Sequence, residues 1–306
     1  MTRVARAPEI LAVFRDRDLL QRFAAALLPP RLGYAWTAHR PALGDAARME
    51  WIAATVTREA ERLLGDPERA RAAGEGFAAA IACDDLDAIT ALLWPRALRL
   101  RTARFEGTEH LPAAGPLVAA SFHFSGGLRV FDALIARGLR TTFVLAENRP
   151  LGRRYVRWLH EMRRAYFRRW LRPPFVATGP DARDRLAAHL SEGGAVVALL
   201  DVAPDHLDLR DHASGELFGR AVRLPIGLLR LSLAAGAPVV PFDARIERGA
   251  RLVRFHPAAR GAQPDALLRA VLRTLEGSIR EHPETWQGWL DFDPLLEPSS
   301  RAQAGT

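Results

Sequence analysis

The chain changes character where the spacing of its apolar positions changes. From residue 8 to 94 these positions recur at helical spacing. The pattern is clearest over Asp45 to Leu64, where Met49, Ile52, Val56, Ala60 and Leu63 mark one face. Gly74, Gly76 and the pair Asp84–Asp85 are expected to break the following stretch into shorter helices. Beyond Pro95 the texture differs. Leu98 to Glu106 alternates as a strand does, and Pro116 to Phe122 is a short apolar run between turn signals. Helices are expected over Ser125–Arg137, Leu151–Trp170, Asp181–Ser191, Leu224–Ala235 and Asp265–Glu281. Strands are expected over Thr141–Ala146, Ala195–Leu200, Pro238–Ile246 and Arg251–His256. Strands alternating with helices imply an α/β fold, a mixed, largely parallel sheet flanked by helices, with chemistry at the C-terminal strand ends. The expected division is a helical N-terminal region over 1–95, an α/β domain over 96–298 and a frayed tail over 299–306.

Composition narrows the chemistry. At 306 residues and 49% hydrophobic, the chain can bury a sizeable core. No apolar run reaches the roughly 18 to 20 uncharged residues of a spanning helix. The nearest, Leu224 to Phe242, is cut by Pro225, Gly227, Arg230, Gly236 and Pro238. Met1 to Arg15 mixes Arg and Glu with apolar residues and does not read as a secretory signal, so a soluble or membrane-peripheral protein is expected. Cys83, the single cysteine, excludes an internal disulfide and a paired-cysteine zinc site, and a reducing compartment is the default. The net charge is +8, and every one of the 43 basic residues is arginine. A lysine Schiff base, a Walker lysine and a kinase lysine are therefore excluded. The basic balance suits an anionic partner: phospholipid headgroups, nucleic acid or a phosphorylated cofactor.

His123 is the most informative residue. It follows an apolar strand and precedes Phe124-Ser125-Gly126-Gly127, which opens a helix. A histidine so placed suits a general base, with helix N-terminal amides at hand for an oxyanion. A histidine simply hydrogen-bonded in a turn fits the spacing equally well.

Several segments around His123 resemble, in order, the lysophospholipid acyltransferase superfamily, most closely its lipid A late (secondary) acyltransferase branch. They are Phe105 to Leu111, Leu117 to Gly127, Asn148-Arg149-Pro150-Leu151, Gly193 to Asp201, Phe218 to Ala221 with Pro225 and Gly227, Gly236 to Pro241, and His282-Pro283-Glu284 with Trp286. The resemblance covers residues 96 to 292. It implies transfer of a fatty or related acyl group from an acyl-carrier-protein or coenzyme A thioester to a hydroxyl or amine of a lipid or small-molecule acceptor. His123 would be the base, with no metal, cofactor or covalent acyl-enzyme. A cytoplasmic protein, peripheral on the inner face of the cell membrane through anionic lipid, is the matching expectation.

One departure matters most. The family places Asp or Glu five residues after its histidine, and here that position is Leu128. Two carboxylates could serve instead. Asp201 ends the Ala195–Leu200 strand, where strand ends meet. Asp132 lies one helical turn beyond Leu128, about 6 Å further along the axis. Asp201 is favoured; a third reading leaves the histidine without an acid, in a non-catalytic or repurposed acyl-binding protein. The family branch also usually opens with a membrane helix that this sequence does not display.

The helix over Leu151–Trp170 carries Tyr155, Trp158, Leu159, Met162, Tyr166 and Trp170 on one face and Arg153, Arg154, Arg157, Arg164 and Arg168 largely elsewhere. It reads either as a core helix with a solvated basic face or as a basic surface for headgroups, an acidic carrier protein or coenzyme A phosphates. No nucleic-acid motif supports that partner. Ser125, Gly126, Asn148, Arg149, Arg157 and Arg220 are the candidate substrate-binding residues beside His123 and Asp201. Arg220 and Arg223 belong to a block that the resemblance implies is a substrate-facing loop. Asp205, His206, Asp208, Asp211 and His212 crowd together, yet read as a solvated turn rather than a metal site. Trp286 and Trp289 read as packing residues.

Overall fold

The protein is described by a computed structural model over residues 17–40, 46–145, 154–171, 175–202, 211–247 and 249–296. Among the described residues four helices come first: α1 (Arg17–Leu27), α2 (Pro30–His39), α3 (Ala46–Leu64) and α4 (Pro67–Leu93). Pro30 and Pro67 sit in first turns, where a missing N–H leaves no helical bond unmade. Asp66 caps α4 by accepting from the backbone N–H groups of Glu68 and Arg69 at 3.1 Å each.

The expected break within α4 does not occur. Gly74 is where the helix crosses α3, and a Cβ there would collide with Thr57 and Ala53. Close helix approach, not a turn, is its purpose. Asp84 and Asp87 face inward onto arginines, so the acidic run is buried and ion-paired instead of ending the helix.

A second correction falls on Leu98–Glu106. Its first half is the short helix α5 (Arg96–Arg101), and only β1 (Ala103–Glu106) is extended. Arg99 turns into the core and pairs with Asp132 at 2.9 Å, a burial that alternation cannot reveal. There follow β2 (Leu117–Ser121), α6 (Val130–Ala136) after a 3₁₀ turn at Gly127–Arg129, β3 (Thr141–Leu145), α7 (Arg154–Trp170), β4 (Val176–Ala177), α8 (Ala182–Ser191) and β5 (Ala195–Leu199). The last elements are β6 (His212–Leu217), β7 (Arg220–Pro225), α9 (Gly227–Ala234), β8 (Val239–Glu247), β9 (Ala250–Phe255) and α10 (Pro264–Glu281). The helix expected from Leu224 starts only at Gly227. Residues 220–225 pair instead with β6 in a hairpin that turns at Phe218–Gly219, both at positive φ.

The seven-stranded sheet runs β1-β9-β8-β2-β5-β3-β4, parallel throughout except for the β8–β9 hairpin. Connections β2-α6-β3 and β3-α7-β4 step one way along it; β4-α8-β5 and the passage from β5 through the β6–β7 hairpin and α9 to β8 step the other. Right-handed crossovers therefore place α6 and α7 on one face and α8 and α9 on the other. Phe77 and Ala73 of α4 belong to the same contiguous core as β2, β5 and β8, so the N-terminal helices and the sheet share one interior. No described helix is long and apolar enough to cross a membrane.

Candidate active site

Strand register brings the two candidate residues together. Ser121 of β2 pairs with Leu199 of β5 in a parallel ladder, and Leu200 N–H continues it onto Ser121 O at 2.8 Å. Two residues past each strand lie His123 and Asp201. His123 Nδ1 stands 2.8 Å from Asp201 Oδ1. An ionised carboxylate only accepts, so it fixes the proton on Nδ1 and leaves the lone pair on Nε2. The Asp201 side chain is 1% exposed and the His123 side chain 42%, so the acid is shielded while the ring reaches the open side.

Asp201 accepts two further kinds of donor. The backbone N–H of His123 lies 3.0 and 2.9 Å from its two oxygens, and Trp286 Nε1–H donates to Oδ2 at 3.0 Å. Donors of this kind fix the direction of the carboxylate. Trp286 also packs among Phe122, Phe218, Trp289 and Phe292. Sequence reasoning saw only the packing; the indole N–H in the His282-Pro283-Glu284 block was the signal for more.

The segment after His123 is fastened from below. Gln287 N–H donates to His123 O, and Ser125 N–H to Thr285 O, both at 2.8 Å. Ser125 Oγ donates to Ala80 O at 2.7 Å and lies 3.1 Å from Asp84 Oδ1, which also accepts Gly126 N–H. Phe124 N–H and Gly127 N–H turn back onto Phe122 O and Phe124 O. The amides of residues 124–127 are thus committed within the protein, which corrects the expectation that they face an oxyanion. Gly126 has φ 91°, and a Cβ there would meet the Arg251 side chain at 3.1 Å, so glycine serves both the turn and the close approach.

His123 opens on a cavity of about 650 Å³ at the C-terminal edge of the sheet, within the range of small-molecule sites. Its wall is largely apolar and includes Leu128, Phe131, Phe143, Phe167, Leu186 and Leu231. Arg163, Arg164, Arg183 and Arg230 also line it, as do Asp84 and Gln287. Arg230 is paired with Asp211 at 3.2 Å. Beside Gly127 the wall leaves open space, with nothing within 4 Å of where a Cβ would stand.

A solved structure that the chain resembles is that of PlsC, the 1-acyl-sn-glycerophosphate (LPA) acyltransferase from Thermotoga maritima. The match covers 88% of this chain and 99% of that one, at 12% identity and a TM-score of 0.41. No family model and no curated protein matches the sequence.

Asp132, the other candidate acid, is buried elsewhere. It pairs with Arg99 at 2.9 Å and with Arg129 at 3.3 Å. Ser125 is fully buried, and neither it nor Gly126 lines the cavity. Arg220 stands at the β6–β7 turn, away from the cavity wall, and Arg223 Nη2 lies 3.5 Å from His212 Nδ1; the expected substrate loop is a hairpin packed on α10. Asn148 and Arg149 lie outside the described residues, as does the Arg157 side chain. So do Asp205, His206 and Asp208; among the described residues no three His, Cys, Asp or Glu are grouped to hold a metal. On α7, Met162 and Tyr166 are buried in the core. Asp84, Gln287 and Arg251 were missed as neighbours of the site. The signal for Asp84 was the acidic run Asp84, Asp85 and Asp87 set in the Ala-rich second half of its helix.

Proposed function

We propose that the protein is an acyltransferase that moves a fatty or related acyl group from a thioester to a hydroxyl or amine acceptor. The observation that carries this reading is the His123–Asp201 pair, 2.8 Å apart, opening on a largely apolar cavity. Nε2 of His123 takes the proton of the acceptor as its oxygen or nitrogen attacks the thioester carbonyl carbon. The carbon–sulfur bond then breaks, and the leaving thiolate recovers that proton from the imidazolium. Asp201 keeps the ring in one tautomer and offsets the charge it gains. With the amides of residues 124–127 engaged elsewhere, Arg163, Arg164 and Arg183 on the cavity wall supply positive charge for the oxyanion or for an anionic group of either substrate. The apolar wall holds the acyl chain. The donor is an acyl-carrier-protein or coenzyme A thioester, and the acceptor a lipid or small molecule reached from an anionic membrane surface. Supporting that surface, Arg168 and Arg169 are exposed on α7.

Purified protein incubated with both kinds of thioester and with lipid and small-molecule acceptors should yield acylated product by mass spectrometry. His123→Ala should lower the rate by about 10² to 10⁴, the usual contribution of a general base. An unchanged rate in that variant overturns the reading. Tight binding of acyl chains by a wild-type protein without turnover favours the acyl-binding alternative, for which Leu128 in place of an acid is the motive. Binding to vesicles containing anionic lipid, and its weakening by salt above the ~8 Å screening regime, tests the membrane contact; equal binding to neutral vesicles counts against it.

A further inference from the structure

Asp84 is a buried carboxylate that the reaction does not use, although it borders the same cavity as His123. It comes from α4, far from the site in sequence, and three donors converge on it. Oδ1 accepts Gly126 N–H and, at 3.1 Å, Arg251 Nη2–H, and Ser125 Oγ, whose hydrogen goes to Ala80 O, lies 3.1 Å away. Oδ2 accepts the side-chain amide of Gln287, whose own backbone N–H donates to His123 O at 2.8 Å. The carboxylate therefore grips the segment 123–126 at both ends: directly at residue 126, and through Gln287 at residue 123. Arg251 reaches beneath the loop from β9 and adds a bond to Ser125 Oγ at 3.2 Å.

We propose that Asp84, relayed through Gln287, is a positioning residue that holds His123 in register with Asp201. The proposal rests on the acyl-transfer reading for its catalytic consequence, and on geometry alone for its structural one. An ionised carboxylate, acceptor-only, can take all three donors at once. Burial pushes the Asp84 carboxyl above its ordinary value, and Arg251 opposes that shift. The Asp84–Arg251 pair is thus what keeps the acceptor set intact inside the protein. A misplacement of the imidazole by an ångström costs far more in turnover than in binding, because the apolar wall that holds the chain is made of other residues.

Swapping the partners tests this. Asp84→Asn sets an NH₂ group against a donor, and Gln287→Glu sets one carboxylate against another. The double variant D84N/Q287E restores a donor facing an acceptor and keeps the same net charge beside Arg251. Each single variant should lose about 10- to 100-fold in kcat with KM within about twofold, and the double should recover most of the loss. Gln287 is half-buried, so Q287E decides the matter if D84N does not fold. A single variant at wild-type kcat, or a double no better than the singles, overturns the proposal.

A second readout separates this outcome from failure of the acyl-transfer reading. The Nδ1 proton of His123, assigned by its loss in His123→Asn, reports the contact with Asp201 by NMR without any turnover. It should shift or broaden in each single variant and return in the double. Should the wild-type protein transfer no acyl group, the reaction is refuted, and this resonance still decides the positioning role: an unmoved signal in D84N and Q287E overturns it.

Discussion

Leu128 stands where the resembling family carries its acid, and in this structure it lines the cavity beside His123. The dyad has its carboxylate from another strand, so an acid at residue 128 has no vacancy to fill. Leu128→Glu is expected to bring no gain in kcat and to raise KM, because a carboxylate in that wall desolvates without a partner. A rise in kcat would mean that Asp201 does not serve the ring. Gly127, the next residue back, offers the cleaner probe of the cavity. Its φ is not in the left-handed region and a Cβ meets nothing within 4 Å, so a larger side chain enters the void without backbone strain. Gly127→Leu should keep its melting temperature and shift acyl preference toward shorter chains. Each displaced methylene should weaken binding by about 0.8 kcal/mol. Unchanged chain-length preference would show that the chain runs elsewhere.

At the scale of elements, the site is a consequence of register. With Ser121 opposite Leu199, equal steps past two parallel strands bring residues 123 and 201 side by side. That juxtaposition was legible in the sequence because both strands are short apolar runs that end in a chemically distinctive residue. The α/β alternation was legible for the same reason. What could not be read were features decided by burial of charge. Arg99, Arg129 and Arg251 enter the core against Asp84, Asp87 and Asp132, and that network turned an expected strand into α5 and an expected break into continuous α4. The hairpin β6–β7 was hidden because its turn rests on Phe218 at positive φ, a conformation that no local signal announces. The C-terminal turn after α10 contributes its own test. Trp286→Phe keeps the aromatic packing and removes the donor to Asp201, so a hydrogen bond to a charged group, about 1.5 to 3 kcal/mol, is lost. Turnover should fall about tenfold or more while substrate binding holds; full activity would mean that the other donors suffice to hold Asp201.

Across the whole molecule, the buried titrating groups give stability a defined dependence on acid. Burial pushes Asp87 upward, but Arg251 and Arg129, with hydrogen bonds from Tyr34 and Arg129, hold it below its ordinary 3.8. Asp243 behaves likewise: burial raises it, and hydrogen bonds from His256 and Ser278 bring it below 3.8. A carboxyl with a depressed folded value contributes stability above its unfolded value and loses it as pH falls through the folded one. Asp84, shifted the other way by burial, opposes part of this loss. His189 acts earlier. Burial drives it below its ordinary 6.5, although the carbonyls of Ala195 and Arg140 accept from its Nε2–H at 3.1 and 3.0 Å and recover some of the shift. The folded state favours neutral His189, so its stability is present above pH 6.5 and declines as pH falls through the lower folded value. Denaturant titrations should therefore show two acid steps, a shallow one below about pH 6.5 and a steeper one below about pH 4. His189→Gln should remove the first step and leave the second, while Asp243→Asn should reduce the second to the part that Asp87 supplies and leave the first. A single acid step that both variants leave unchanged would refute this assignment, and would place the acid sensitivity in groups other than His189 and Asp243.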